Sequence, residues 1–104
     1  MPEVHVVAVI TTKPGKRSEV LSIFKKNIPD VLAEAGCIEY SPTIDMEDAG
    51  DFQTEYGADT FVVVEKWQSL DHLKAHIKTP HMVNYANQVK DMLADRIIHI
   101  LSPA

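Results

Sequence analysis

The stretch FVVVEKWQSLDHLKAHIKTPH, residues 61–81, decides the fold of this chain. Its first seven residues form an apolar, β-branched and aromatic run with the composition of a strand. Ser69 is a good N-cap for a short helix over Leu70 to Lys78, with Asp71 well placed in the first turn. Thr79 then caps another helix, and Pro80 occupies its first position, where a missing N–H costs nothing. Side chains alternate along a strand, so Glu65 and Trp67 share a face with Phe61 and Val63, next to where His76 leaves the following helix. A carboxylate, an indole and an imidazole beside apolar walls suggest a pocket for an organic ligand. The same residues also fit a plainer arrangement, with Trp67 in the core and the histidines at the surface.

Working outward, Val4 to Thr11 reads as a strand that Lys13-Pro14-Gly15 ends with turn chemistry. From Lys16 to Ala35 the apolar residues Val20, Ile23, Phe24, Ile28, Val31, Leu32 and Ala35 recur at spacings of three and four, the stripe of an amphipathic helix stopped by Gly36. Pro29 lacks an N–H and crowds the carbonyl of Lys25, which predicts a kink or two helical pieces. Cys37 to Ile44 alternates as a strand, and Pro42 places it near an edge. Thr60 to Trp67 pairs back on it antiparallel through a long hairpin. Met82, Tyr85, Ala86, Val89 and Leu93 make the buried stripe of the last helix, and Arg96 to Leu101 is the final strand before Pro103.

The order is β-α-β-β-α-β with the second helical part broken in two, an α+β, ferredoxin-like plan: a four-stranded antiparallel sheet with helices on one face. Its 104 residues make one domain covering 1–104. On the first strand Val4, Val6, Ala8 and Ile10 form one face while Val7 and Val9 help to form the other, so both faces want burial. The helices cover one, and the chain has no second helical layer for the opposite one. This predicts a homodimer whose sheets meet face to face.

Composition removes several functions. The net charge is −5, yet Asp45, Glu47, Asp48, Asp51, Glu55 and Asp59 fall in one segment without Lys or Arg, leaving nine acids against ten bases elsewhere. A nearly neutral body without a basic stripe does not suit nucleic acid. The acidic segment lacks the alternating oxygen ligands of a calcium loop and reads as a solvated hairpin loop. No apolar run approaches the roughly 20 residues that span a bilayer, and the start has no basic, apolar leader, so a cytoplasmic location is expected. The single cysteine, Cys37, excludes an internal disulfide and reads as a packing residue.

Taken in order, Val6-Val7-Ala8-Val9 with Lys13-Pro14-Gly15, Gly36-Cys37-Ile38-Glu39-Tyr40, Glu65-Lys66-Trp67-Gln68-Ser69, and His76 with Thr79-Pro80-His81 resemble the antibiotic biosynthesis monooxygenase domain family over nearly the whole chain. That family comprises small dimeric α/β-barrel proteins, among them quinol monooxygenases. The resemblance implies a two-fold dimer, a ligand chamber between sheet and helices, and oxidation of a small electron-rich aromatic, a quinol or phenol, by O₂ with no metal or flavin. The haem-degrading branch is similar in its strand-three Trp and helical His. It carries an Asn on strand one where this sequence offers His5 and Val7, which argues against haem degradation.

Such chemistry needs a base to ionise a substrate hydroxyl, and His76 is the candidate. Glu65 would orient that imidazole or hold a hydroxyl, Trp67 would be a flat wall for an aromatic ring, and Tyr85 would add a polar contact. His81 sits near a helix N-terminus, where it would stay neutral and bind substrate or merely cap the helix. His5 on the first strand and His99 on the last face either the chamber or the dimer. His72 and His76 are four apart on one helix, but no third ligand completes a metal site, and none is expected. A noncatalytic small-ligand binding or sensing dimer on the same scaffold is the alternative function.

Overall fold

The first strand, β1 (Val4–Thr12), lies inside the sheet, antiparallel to β3 (Thr60–Trp67) on one side and to β4 (Leu93–Leu101) on the other. β2 (Cys37–Thr43) pairs with the far side of β3, giving the order β2-β3-β1-β4. These elements come from a computed structural model that describes residues 3–104. Three helices, α1 (Arg17–Leu32), α2 (Leu70–His76) and α3 (Pro80–Val89), accompany the sheet, and a 3₁₀ turn over Lys90–Met92 leads into β4. The result is the α+β, ferredoxin-like arrangement expected from the sequence. The sheet is open, with β2 and β4 as its edges, and does not close into a barrel within one chain.

Strand alternation builds the core. Val4, Val6, Ala8 and Ile10 of β1, Phe61, Val63 and Trp67 of β3, and Tyr40 of β2 pack against Val20, Phe24 and Val31 of α1, Leu73 of α2 and Val89 of α3. Phe24 is the hub, stacked on Tyr40 and edge-on to Phe61 and Tyr85. The opposite face carries Val7 and Val9, their cross-strand partners Val64 and Val62, and Ile97 and Leu101, the last two about half exposed. Among the described residues no element covers it.

The local signals act as read at the caps. Ser69 Oγ accepts the His72 N–H, and Thr79 Oγ1 accepts the Met82 N–H with Pro80 in the first helical position. The acidic loop is tied by Asp45, whose carboxylate accepts from the backbone N–H groups of Gly57 and Tyr56 and is held below its usual range by them.

Other boundaries differ. α1 passes unbroken through Pro29 rather than splitting, because only one helical hydrogen bond is lost and buried Val20, Phe24 and Val31 anchor the helix on both sides of it. It ends at Leu32, so residues 33–36 form a turn that closes at Gly36 with φ +83°. Leu93 belongs to β4, which begins earlier than expected, and Ala86 is exposed. A bulge between Cys37 and Glu39 shifts the start of β2, leaving Ile38 half exposed. Among the described residues no helix is long and apolar enough to cross a membrane.

Candidate active site

Between the inner face of the sheet and the helices lies a cavity of about 510 Å³. Val6 and Ala8 of β1 with Ile98 and Ile100 of β4 form its floor, and Leu73, Ile77 and Met82 form part of its roof. The polar groups in its wall are Tyr40, Glu65, Lys74, His76, Tyr85 and Arg96. Apolar walls with a few converging polar groups are the usual form of a small-molecule site.

His76, the last residue of α2, is 3% exposed. Its Nδ1 lies 2.9 Å from Oε2 and 3.1 Å from Oε1 of Glu34, which lies in the turn after α1. A carboxylate accepts only, so the ring donates Nδ1–H, and in its neutral form Nε2 is the bare, basic nitrogen. Among the described residues Nε2 has no hydrogen-bond partner, and the ring borders the cavity. Burial lowers the imidazole's pKa from the ordinary histidine value, opposed by the bond to Glu34 and its charge, so the buried ring favours the neutral, proton-accepting form. The indole of Trp67 lies against this ring at 4.6 Å between centroids, and Tyr40 meets it edge-on.

Glu65 faces the cavity from β3, opposite Tyr40 on β2 and Val6 on β1. Burial pushes its carboxyl up to about 7, with the Trp67 hydrogen bond opposing and the charge of Glu34 adding to the rise. Trp67 Nε1–H donates to Oε1 at 2.9 Å, while Oε2 has no hydrogen-bond partner among the described residues. A carboxyl of this kind donates a hydrogen bond when protonated and accepts one when ionised. The Tyr40 hydroxyl is pushed far up by burial and then by Glu65, and burial pushes Tyr85 up to about 12, so both remain phenols that donate hydrogen bonds. Cys37 is pushed up to about 11 by burial, with Glu34 and Glu65 adding to it, and stays a thiol.

The structure brings His76, Glu65 and Tyr85 to one cavity. Trp67 is fully buried and lies behind Glu65 and His76, so it does not form a wall for a ring; it fixes the two groups that do face the cavity. His81 is also not in the cavity wall: it stands on the far side of Glu34, with Nε2 2.7 Å from Oε2, in a groove between α1 and α3. His5 does not reach the site, because it pairs with Lys66 and Leu101 on the helix-free face. His99 lies opposite Val7 on that same face. The His72 ring turns to Ser69 Oγ while His76 turns to Glu34, so the two do not converge on an ion. Among the described residues no group of three or more His, Cys, Asp or Glu is arranged to hold a metal. Sequence reasoning passed over Glu34, Tyr40, Lys74 and Arg96. For Tyr40 the signal was present, since strand alternation puts it on the inner face; for Glu34 there was none, because its partners are 42 and 47 residues away.

The family model described as "Antibiotic biosynthesis monooxygenase" matches residues 3–88 of this chain. The chain is 42% identical over 100 residues to the Escherichia coli (strain K12) protein named "Probable quinol monooxygenase YgiN", spanning 94% of this chain and 95% of that one. Among solved structures, a conserved protein from Methanosarcina mazei Go1 superposes with a TM-score of 0.84 at 25% identity, covering 100% of this chain and 95% of that one. PA3566 from Pseudomonas aeruginosa superposes with a TM-score of 0.82 at 22% identity, covering 100% and 96%. These two likenesses concern the fold.

Proposed function

The chain belongs to the antibiotic biosynthesis monooxygenase family, and from that premise we propose that it oxidises a small electron-rich aromatic, a quinol or phenol, with O₂ as oxidant and with no resident metal or flavin. The observation that carries the reading is His76: a buried imidazole whose Nδ1–H is tied to Glu34, whose Nε2 has no hydrogen-bond partner among the described residues, and whose ring borders an apolar cavity of about 510 Å³. The likeness to a protein named as a quinol monooxygenase supports the same substrate class.

In this mechanism Nε2 of His76 takes the proton of a substrate hydroxyl, and the resulting anion is a far better electron donor than the neutral phenol. One electron passes to O₂, and recombination of the radical pair forms a bond from a ring carbon to oxygen. The proton taken by His76 returns to the peroxide oxygen, and loss of water completes the balance: quinol plus O₂ gives hydroxyquinone plus water, one oxygen atom remaining on the ring. Glu65, held by the indole of Trp67, offers Oε2 to a second hydroxyl, and the Tyr40 and Tyr85 hydroxyls orient the ring.

The same proposal includes a two-fold dimer through the helix-free face, where Val7, Val9, Val62, Val64, Ile97 and Leu101 form an apolar patch. If half of a standard interface of roughly 800 Å² per partner is apolar, burial contributes on the order of 10 kcal/mol per subunit before association costs.

The test is O₂ uptake with a panel of reduced quinols and phenols. Uptake that falls at least about tenfold in His76→Ala supports the monooxygenase role of the site. Saturable binding without turnover would instead establish the noncatalytic binding dimer.

A further inference from the structure

One carboxylate here serves two imidazoles. Oε2 of Glu34 is 2.9 Å from Nδ1 of His76 and 2.7 Å from Nε2 of His81. The Glu34 side chain is 10% exposed and that of His76 3%, whereas that of His81 is 24% exposed and borders the groove between α1 and α3. Both ring nitrogens that face Glu34 donate, and the two rings border different spaces, His76 the cavity and His81 the groove. Among the described residues neither outer nitrogen has a hydrogen-bond partner. A single buried carboxylate stabilises one imidazolium well and two poorly, because two cations on a shared acceptor repel each other.

We propose that Glu34, His76 and His81 form one ionising unit that shares a single positive charge, so that as His76 accepts a proton from a substrate hydroxyl in the cavity, His81 releases one to water in the groove. The proposal rests on the reading of His76 as the base. The substrate O–H proton goes to Nε2 of His76, a different proton leaves Nδ1 of His81 for solvent, and no electron moves in the step. Glu34 keeps its charge and both hydrogen bonds, so one imidazolium shares this carboxylate before and after the step, and the new substrate anion faces the one on His76. His81 is thus a positioning residue, acting through Glu34.

The surrounding groups do not replace this partnership. Glu65 of β3 and Tyr40 and Cys37 of β2 face the Glu34–His76 side, and burial pushes all three toward their neutral forms. Glu19, Lys26 and Asp30 of α1 border the groove on the His81 side. The charge of His81 lowers the pKa of His76, in addition to burial, which is the sign such sharing requires.

The test is histidine ¹⁵N NMR of the full chain without substrate, across a pH titration, beside the pH profile of kcat/KM for O₂ uptake with a reduced quinol. His81→Gln keeps an N–H donor for Glu34 but carries no charge. It raises the His76 midpoint by at least about 0.5 pH unit, a threefold change in acidity, and the acid limb of the kcat/KM profile moves with it. A midpoint and limb that stay in place overturn the proposal and leave His81 a structural brace. Should that variant fail to fold, the wild-type chain decides: linked, biphasic titration of the two rings supports the unit, and two independent single-site curves refute it. If no quinol or phenol supports O₂ uptake by the wild type, the oxidation reading fails, while the NMR midpoints still decide the coupling.

Discussion

Glu65→Gln is expected to change how stability depends on pH, and the size of the change follows from the burial of this one group. The folded-state pKa is raised from 4.5 to about 7, chiefly by desolvation, for a residue that is 7% exposed. Between those pH values the unfolded chain has released the Glu65 proton while the folded chain retains it. The unfolded state therefore binds fewer protons, and stability falls as pH rises. The favourable contribution is fully present below the unfolded value and is lost as pH climbs through the folded one. At about 1.36 kcal/mol per unit, the loss amounts to about 3 kcal/mol. The glutamine variant keeps an oxygen to accept the Trp67 N–H and has no such loss. Urea unfolding of both proteins, at equal protein concentration and at pH values from about 4 to 8.5, gives curves that diverge by about 3 kcal/mol toward high pH, with the variant the more stable there. Parallel curves would refute the reasoning, since they would mean that Glu65 ionises as an ordinary exposed carboxyl and that water reaches it freely.

Gly36→Ala is expected to cost more than about 1 kcal/mol, because φ is +83° and an added Cβ would run into the His72 ring; unchanged urea midpoints would contradict this. Val64→Lys puts a charge in the middle of the helix-free apolar face and is expected to convert dimer to monomer in sedimentation equilibrium. An unaltered mass for the variant would remove that face as the contact.

The fold was legible because its signals are local. Period-two burial in β1 and β3, a Ser and a Thr whose side chains accept the third N–H beyond them, and a proline at a first helical position all act within a few residues. The site was legible only in part. Alternation gave the correct face for Glu65 and Trp67, yet said nothing about depth: Trp67 sits in the end row of the sheet, opposite Val4 and Cys37, where it is wholly buried, while Glu65 one row along meets the cavity. Glu34 was invisible for a different reason. It looked like the tail of an amphipathic helix, and it becomes a ligand for two imidazoles because α1 stops at Leu32 and the turn through Gly36 brings it against α2 and α3. His81 was placed on the right helix, but that carboxylate stands between it and His76.

The cavity itself follows from a mismatch between layers. Inner-face residues of β3 and β1 are buried, and so is Tyr40 of β2, but β4 has none: Ile98 is 47% and Ile100 54% exposed. The helical layer is narrower than the four-stranded sheet, and the small side chain of Ala8 deepens the hollow at the boundary. Along one row of the sheet, Glu65 pairs with Val6 and Val6 with Ile100. Two strand spacings separate the carboxyl end of that row from its apolar end, about 10 Å, the span of one or two fused rings. A substrate lying along it would set its hydroxyl groups beside Glu65 and His76 and its hydrocarbon part on Ile98 and Ile100. On this reading the open side of β4 would be the way in, and the buried polar end would be where water is scarcest and the basicity proposed for His76 would count most.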